Sequence, residues 1–299
     1  MSLPHQNPSN IQTGDFSHLD AKIIGMFGWR DADRIKAIKK DRWFSYSAAE
    51  QIEAELDAML EVDDRLRLPG MVITANPNNG KSSLVRHFAK RYPAKEREDG
   101  TGVNIPVLLI DGPPRADVKW LLGEILIALN APYKEKEDDK HQFRQIVGIF
   151  KRLNVRMLII DEISDIVSGT ASKQRDFLSL IKQTGTRAGI RIILSGTPPI
   201  LSAISVDDQT KSRFMERELP DWTANLEFIN LLAAFEKHTA LKLPSKLAAV
   251  ENRNLAAKIQ DKSRGRIGWI FEILEKSAEQ AIITGEERIT ENIVDSIII

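Results

Sequence analysis

Residues 70–83 are the most constraining segment of the sequence, because a short apolar run leads directly into Asn79-Gly80-Lys81-Ser82. A strand, a loop and the start of a helix in this order are typical of a loop that binds nucleotide phosphates. Backbone N–H groups near Gly80 would wrap the phosphates, Lys81 would reach them, and the Ser82 hydroxyl would ligate Mg²⁺. The segment therefore predicts an ATP site formed by Ala75, Asn76, Pro77, Asn78, Asn79, Gly80, Lys81, Ser82 and Ser83.

The strict form of this pattern has glycine where this chain has Ala75. A small residue at the turn from strand to loop preserves the mechanism. The segment Asn76-Pro77-Asn78-Asn79 is also rich in residues that turn or accept left-handed backbone. Because a lone Gly-Lys-Ser also occurs by chance, the ATP hypothesis depends on the rest of the sequence.

A second apolar run, Met157-Leu158-Ile159-Ile160, ends in Asp161-Glu162. In phosphate-loop ATPases, a carboxylate at the end of a strand holds Mg²⁺, and a catalytic residue orients the attacking water. We therefore predict that Asp161 and Ser82 bind the metal and that Glu162 acts on the water. The alternative is a buried strand that ends in a solvated acidic turn. It is disfavoured because Lys81 and Ser82 lie upstream at the spacing of a single domain.

Composition excludes several classes of function. The 299 residues contain 42 basic and 42 acidic side chains, so nucleic-acid binding requires a local basic patch. The absence of cysteine excludes disulfides, thiolate metal sites and a cysteine nucleophile, and the five histidines lack the paired spacing of a zinc site. No apolar run reaches the roughly 18 residues of a membrane span, and the N-terminus does not resemble a signal peptide. We expect a cytoplasmic protein with no membrane contact.

Apolar runs alternate with amphipathic helices between residues 46 and 221, which predicts an α/β fold with a parallel sheet flanked by helices. Strands are predicted near 70–74, 105–110, 157–160 and 190–194, and helices near 48–62, 83–91, 117–129, 141–153 and 173–184. Ligands of such sheets bind at the carboxyl ends of the strands, where both motifs fall.

Helical patterns dominate after residue 222, which predicts a small all-helical lid domain. The helices are expected at 223–238, 245–261, 265–284 and 290–298. We expect three segments: an N-terminal tail and adapter at 1–45, the nucleotide-binding domain at 46–221 and the lid at 222–299.

Three further motifs follow the acidic strand. Ser195 or Thr197, at the end of the strand near 190–194, is a candidate sensor that holds the lytic water, although a plain strand exit explains either residue nearly as well. Arg213, at the end of a helix predicted through 209–214, is a candidate arginine finger that reaches the ATP of a neighbouring subunit, with Arg217 as the second choice. In the lid, Arg266, in preference to Arg264, is a candidate contact to the nucleotide.

Together these motifs resemble the AAA+ ATPases of transposons, the TniB/TnsC family, over roughly residues 40–290. The matching segments are Asn79-Gly80-Lys81-Ser82, Ile159-Ile160-Asp161-Glu162-Ile163, Gly196-Thr197-Pro198, Ser212-Arg213-Phe214, Leu219-Pro220-Asp221-Trp222 and Gly265-Arg266-Ile267-Gly268. The resemblance implies an AAA+ P-loop NTPase fold with ATP and Mg²⁺ bound at subunit interfaces. It also implies a homo-oligomer, either a ring or a helical filament, around double-stranded DNA. Its implied role is target selection, with recruitment of a DDE transposase and a TniQ-like protein.

DNA contacts in such an assembly would be made to phosphates and would be independent of sequence. We expect Arg115 and Lys119 to line the DNA path, although a solvated helix start explains these two residues equally well. Two other functions remain open at this point. One is an ATP-switched scaffold without significant hydrolysis, and the other is a signalling NTPase that does not bind DNA.

Overall fold

The structure is a computed structural model that describes residues 16–62, 68–134, 136–205 and 211–299. It contains two compact units. One is Ser47–Pro220, and the other combines the described residues up to Tyr46 with Asp221–Ile299. The boundaries expected at residues 45 and 221 stay predictions, and most of the expected N-terminal tail, residues 1–15, lies outside the described part of the chain.

Helices and strands are labelled separately in chain order, and short 3₁₀ turns occupy Gly25–Gly28, Ile163–Ser168 and Val250–Asn252. The elements are α1 Ala21–Ile24, α2 Asp31–Ile38, α3 Ser47–Glu61, β1 Gly70–Thr74, α4 Lys81–Arg91, β2 Lys95–Glu96, β3 Val103–Asn104, β4 Val107–Asp111, α5 Val118–Ala128, α6 Asp139–Arg152, β5 Met157–Asp161, α7 Ala171–Ala188, β6 Arg191–Gly196, α8 Ile200–Ser205, β7 Phe214–Glu218, α9 Leu226–Lys237, α10 Arg253–Ser263, α11 Ile267–Thr284 and α12 Glu291–Ser296.

A five-stranded sheet in the order β4-β5-β6-β1-β7 forms the centre of the first unit, and every pairing in it is parallel. All residues of β1, β5 and β6 are buried, which explains the continuous apolar run in the middle of each strand. The register pairs Asp111 with Asp161 and Thr74 with Gly196. The carboxyl ends of β4, β5, β6 and β1 therefore meet at one edge of the sheet.

Helices cover both faces of this sheet, as the sequence predicts. On one face, α5, α6 and α7 pack Ile125, Phe150 and Phe177 into a buried cluster with Leu158 and Ile160 of β5. On the other face, α4 contributes Leu84, Val85 and Phe88, which are fully buried. The four strands and five helices predicted for this unit are observed, and they begin and end within about four residues of the predicted positions, whereas β2, β3, α8 and β7 were not predicted.

Strand β7 is a correction to the sequence analysis, which predicted a helix through 209–214 and no strand after it. Residue 211 is the last helical residue described there, residues 209–210 lie outside the described chain, and Ser212-Arg213 form a turn before β7. Phe214 is buried, and the residues after it alternate between exposed and half-buried, as expected for an edge strand beside β1. Its glutamates and arginine are good helix formers, which hid the alternation.

Among its described residues, the second unit contains helices and no strand, in agreement with the predicted helical C-terminal region. The helix expected at 245–261 begins eight residues late, at Arg253. Side chains hold the preceding segment as a loop: the Glu236 carboxylate accepts the N–H groups of Lys246 and Leu247, and the Asn252 amide donates to the Ser245 carbonyl. In the described residues of either unit, no helix has both the length and the apolar character needed to cross a membrane.

Candidate nucleotide-binding site

Residues 75–80 connect β1 to α4 at the carboxyl edge of the sheet. Asn78 has φ 61° and Gly80, at the start of α4, has φ 84°, so the left-handed positions carry residues that tolerate them. Ala75 is fully buried and does not have a positive φ. The backbone therefore does not require glycine at residue 75, where the strict sequence pattern has it.

Asn79 fixes the apex of this loop. Its side chain is 1% exposed, and its amide nitrogen donates to the carbonyls of Leu219 at 3.1 Å and Pro220 at 3.0 Å. The Leu219 N–H in turn donates to the Thr74 carbonyl at the end of β1. The loop is thus tied to the segment that follows β7, an interaction that sequence reasoning did not assign to Asn79.

Lys81 is the first residue of α4 and is 4% exposed. Its ammonium donates to the carbonyls of Ala75 at 3.1 Å and Asn76 at 3.2 Å, so it lies inside the curve of the loop. Burial lowers the pKa of Lys81, and the nearby carboxylates of Glu162 and Asp161 oppose that shift. The charge is held where two carbonyl dipoles, rather than a carboxylate, contact it directly.

Asp161 and Glu162 follow β5 and face the same loop. Asp161 is fully buried, its Oδ1 accepts the Glu162 N–H at 2.9 Å, and its Oδ2 has no hydrogen-bond partner among the described residues. The Ser82 hydroxyl donates to Glu162 Oε1 at 3.1 Å. Glu162 itself has a left-handed backbone, φ 57° and ψ 41°, which is rare for a residue with a side chain.

These atoms fit a Mg²⁺ ion. Buried carboxylate oxygens normally have a partner, so the orphaned Asp161 Oδ2 points to a missing ligand. Ser82 uses its only proton on Glu162, which leaves its oxygen lone pairs available to a cation. No group of three or more His, Cys, Asp or Glu side chains that could hold a metal occurs in the described residues. Mg²⁺ takes few protein ligands and completes its shell with phosphates and water, so the oxygens of Ser82 and Asp161 would be enough to hold it.

A cleft of about 400 Å³ lies in front of these groups. Its lining residues are Pro77, Asn78, Lys81, Gly112, Pro113, Pro114, Glu162 and Thr197. A Cβ on Gly112 would lie 2.6 Å from Ile163 Cγ2 and 2.8 Å from the Asp161 carbonyl, so only glycine allows the loop after β4 to pass this close to Asp161. The Gly112-Pro113-Pro114 wall is a part of the cleft that sequence reasoning missed.

The two sensor candidates occupy different positions. Thr197 lines the cleft with Glu162, whereas Ser195 is fully buried inside β6, opposite Ile73 of β1. The Ser195 hydroxyl has no hydrogen-bond partner in the described chain. Thr197 is therefore the residue that stands beside the space where a substrate would lie.

Arg213 lies at the opposite edge of the sheet from Lys81. Its carbonyl accepts the N–H of Gly70, the first residue of β1, whereas the phosphate loop follows the last residue of β1. At about 3.3 Å per residue, Gly70 and Ala75 are separated by about 16 Å. Arg217 is ion-paired to Glu55, with Nε 2.6 Å from Oε2. Within one subunit, neither arginine reaches the cleft.

The remaining predicted residues do not line the cleft. Ser83 is exposed in the first turn of α4. Arg115 and Lys119 are exposed, in the loop after β4 and in the first turn of α5. Arg266 belongs to the second unit, where it precedes α11 and its guanidinium lies 4.6 Å from the centre of the Trp269 ring. The roles expected for these residues stay predictions.

Solved structures share this fold at low sequence identity. The Aeropyrum pernix ORC2 protein, in ADPNP–ADP complexes, matches with a TM-score of 0.62 and 16% identity over 87% of this chain and 70% of that chain. The A. pernix ORC1 protein in complex with DNA matches with a TM-score of 0.63 and 16% identity over 88% and 68%. CDC6P from Pyrobaculum aerophilum matches with a TM-score of 0.60 and 18% identity over 85% of this chain and 68% of that chain. No curated protein matches the chain.

The order of the strands, with β6 between the phosphate-loop strand and the acidic strand, and the likeness to these structures define a P-loop NTPase fold of the AAA+ class. The family model for the bacterial TniB protein matches residues 34–224, more than half of the chain. The chain therefore belongs to the bacterial TniB family, which confirms the family resemblance of its motifs.

Proposed function

We propose that this protein is an ATP-hydrolysing regulator of DNA transposition that assembles on double-stranded DNA. The observation that carries the proposal is the meeting of Lys81, Ser82, Asp161 and Glu162 at one cleft, with Arg213 at the opposite edge of the same sheet. Membership of the TniB family supports the biological setting. An ATPase whose sites form between subunits requires this arrangement, with the phosphate-binding cleft on one side of each subunit and the arginine on the other.

Binding comes first. The N–H groups at the start of α4 and the Lys81 ammonium would hold the phosphates of ATP, since a helix N-terminus and a buried cation both favour anions. The Lys81 ammonium donates to the Ala75 and Asn76 carbonyls, and phosphate oxygens would give it stronger, charge-assisted partners. Ser82 and Asp161 would hold Mg²⁺. The metal would neutralise charge on the phosphates when bound.

Hydrolysis then requires a positioned water. The Glu162 carboxylate is at the mouth of the cleft, where it can orient a water and accept its proton as the water oxygen bonds to the γ-phosphorus. The bond from the γ-phosphorus to the bridging oxygen breaks, and ADP leaves with that oxygen. Thr197 also lines the cleft and would hold the same water, and Ser195, buried in β6, is the second candidate for this role.

The described lining residues of the cleft include Lys81 but no arginine, so an arginine finger would have to come from elsewhere. Arg213 is our candidate, supplied by a neighbouring subunit, because it cannot reach the cleft of its own subunit. Arg217 is a poorer candidate because Glu55 engages it at 2.6 Å within the same subunit. Hydrolysis would therefore depend on assembly. We propose Arg266, held against Trp269, as a further contact to the nucleotide.

Duplex DNA would act as the template for assembly, in a ring or a helical filament. Arg115 and Lys119 are exposed on one loop and helix start, as phosphate contacts have to be. The zero net charge of the chain means that such binding rests on a local patch. Recruitment of a DDE transposase and a TniQ-like protein to the chosen target completes the proposed role.

The test measures ATP turnover and particle shape with and without duplex DNA, for the wild type and Glu162→Gln. We expect DNA to stimulate turnover and to produce rings or filaments. In Glu162→Gln, turnover should fall at least about 100-fold while ATP binding persists, so the assemblies should be longer-lived. Lys81→Ala should lose ATP binding itself.

Other results would contradict the proposal in identifiable ways. Assembly on DNA with negligible wild-type turnover would indicate an ATP-switched scaffold. Turnover and particle shape that ignore DNA at low salt would indicate a signalling NTPase. Unchanged turnover in Glu162→Gln would remove the catalytic assignment.

A further inference from the structure

Arg213 borders open space at the amino edge of the sheet. A cavity of about 260 Å³ lies beside it, with Phe214, Ile181 and Ile192 in its lining and Thr186 at the same site. In the described part of the chain, Arg213 makes no ion pair, and its one side-chain hydrogen bond runs from Nη1 to Thr186 Oγ1 at 3.0 Å. A long side chain beside open space has many rotamers. Its direction is therefore set by whatever contact it keeps.

Thr186 is built to offer that contact. The hydroxyl donates its only proton to the Lys182 carbonyl at 3.0 Å, one helical turn earlier, so its lone pairs are left to accept from Arg213. Fixing the proton in this way also fixes the χ1 angle of Thr186 and hence the position of the acceptor.

The last turn of α7 approaches the sheet because residue 185 is glycine. A Cβ at Gly185 would lie 3.2 Å from Ile192 Cγ1 and 3.3 Å from the Ile190 carbonyl, and the Ile190 N–H donates to the Gly185 carbonyl at 3.0 Å. On the other side, the Gly70 N–H holds the Arg213 carbonyl at 2.8 Å. The backbones of both partners are therefore fixed, and only the Arg213 side chain is left to be directed.

We propose that Thr186 is a positioning residue for Arg213, which it holds pointing away from its own subunit and toward the phosphates bound by a neighbour. The inference rests on the proposed function, because it gives Arg213 its partner. Thr186 does not touch the substrate. It limits the rotamers of the arginine before assembly, so that the side chain loses less conformational entropy when two subunits meet.

The experiment uses mixtures of full-length subunits on duplex DNA. Lys81→Ala subunits can supply only an arginine, and Arg213→Ala subunits can supply only a phosphate site, so turnover in their mixture measures the finger acting between subunits. Adding Thr186→Val to the Lys81→Ala subunit should lower this turnover about fivefold, the size expected for one lost hydrogen bond. Adding it to the Arg213→Ala subunit should have no such effect. Thr186→Ser, which keeps the acceptor, should restore the signal.

A matched control separates positioning from helix stability. Thr284 is exposed near the end of α11 and donates to the Gln280 carbonyl at 2.9 Å, the same backbone contact without an arginine. Thr284→Val should leave turnover in the mixture unchanged. All Thr186 variants should assemble on DNA and melt like the wild type.

The outcomes distinguish the inference from the function beneath it. If the reference mixture turns over ATP and Thr186→Val in the arginine-supplying subunit does not lower the rate, the inference is overturned and the proposed function stands. If Arg213→Ala alone hydrolyses ATP at the wild-type rate, Arg213 is not the finger and both fail. A loss of equal size whichever subunit carries Thr186→Val would show a structural role and would also overturn the inference.

Discussion

At the scale of single residues, the backbone of the phosphate loop decides which side chains can be exchanged. Left-handed positions are occupied by Asn78 and Gly80, and Ala75 is buried without a positive φ. Sequence alone correctly predicts that residues 70–83 form a strand, a loop and a helix, because that information is local. It does not show whether alanine at residue 75 weakens the loop, because φ at that position depends on the folded backbone.

We predict that Ala75→Gly gives no gain in nucleotide affinity. The backbone already has the conformation it needs, so affinity should change by less than about twofold, while the free energy of unfolding should fall by about 1–2 kcal/mol from the lost methyl and the added chain entropy. Titration with a fluorescent ATP analogue and urea unfolding measure the two quantities. Gly80→Ala, at φ 84°, should lower both. A tenfold tighter complex in Ala75→Gly would contradict the argument.

Asn79→Ala should weaken the protein at a point that no local pattern marks. The Asn79 amide satisfies two carbonyls, of Leu219 and Pro220, and the contact with Leu219 is buried, so its removal should cost about 1–3 kcal/mol and also lower ATP affinity. Thermal melting with and without ATP measures both effects. Asn78→Gly is the matched control, because its side chain is exposed and glycine accepts φ 61°. Equal melting temperatures for the two variants would show that the tie from Asn79 is not needed.

At the scale of helices and strands, sequence predicts elements whose burial pattern is strong and misses those held by particular side chains. The β1, β5 and β6 strands are predicted because both of their faces are buried, which favours apolar residues along the middle of each strand. Strand β7 is missed because its exposed charges at an edge resemble a helix. The start of α10 is misplaced because Glu236 and Asn252 stabilise a loop where periodicity favours a helix.

The joining of α2 to the segment after α11 also has no local signal, since Arg34 and Glu287 are 253 residues apart. Arg34 is 1% exposed and donates to both Glu287 carboxylate oxygens, at 2.9 and 2.6 Å, and to the Ala240 carbonyl. The Lys242 ammonium also pairs with Glu287, at 3.0 Å. This network holds the N-terminal helix in the second unit.

Glu287→Gln should destabilise the second unit by about 3–5 kcal/mol, because it removes the bidentate counter-charge of the buried Arg34 guanidinium and leaves only the exposed Asp31 carboxylate, 3.0 Å away. Burial alone would raise the pKa of Glu287, but hydrogen bonds from Arg34 and Lys242 outweigh it and lower the pKa below the ordinary value of 4.5. A lowered pKa stabilises the fold above 4.5, and this stabilisation is lost as the pH falls through the folded-state pKa. Melting temperatures from neutral to acidic pH measure both effects.

In Glu287→Gln, the fall in melting temperature between neutral and acidic pH should be smaller than in the wild type. Glu251→Gln is the control, because Glu251 makes an exposed ion pair with Lys246 whose removal should leave the melting temperature unchanged. If both glutamines gave the same melting curves at every pH, the buried network would not contribute to stability.

At the scale of the whole molecule, the zero net charge gives duplex DNA no general attraction to the chain. Binding would depend on a few contacts multiplied by assembly, and each phosphate contact releases counterions, so the logarithm of affinity should fall linearly with the logarithm of salt concentration. Arg115 and Lys119 are four residues apart and exposed, on the loop after β4 and the start of α5. If both contact phosphates, every subunit in the assembly uses them.

We therefore predict that Arg115→Ala/Lys119→Ala lowers the salt slope by about 2 per subunit bound, with DNA affinity reduced equally on all sequences. ATP binding without DNA should be unchanged, because neither residue lines the cleft. Lys140→Ala/Arg144→Ala, also exposed and four residues apart on α6, is the matched control and should keep the wild-type slope. The salt slope distinguishes direct phosphate contacts from a general loss of positive charge, because a general loss would lower the slope equally for both pairs. Equal slopes for the two double variants would show that the DNA path does not run along α5. A wild-type DNA affinity that does not depend on salt would argue against assembly on DNA.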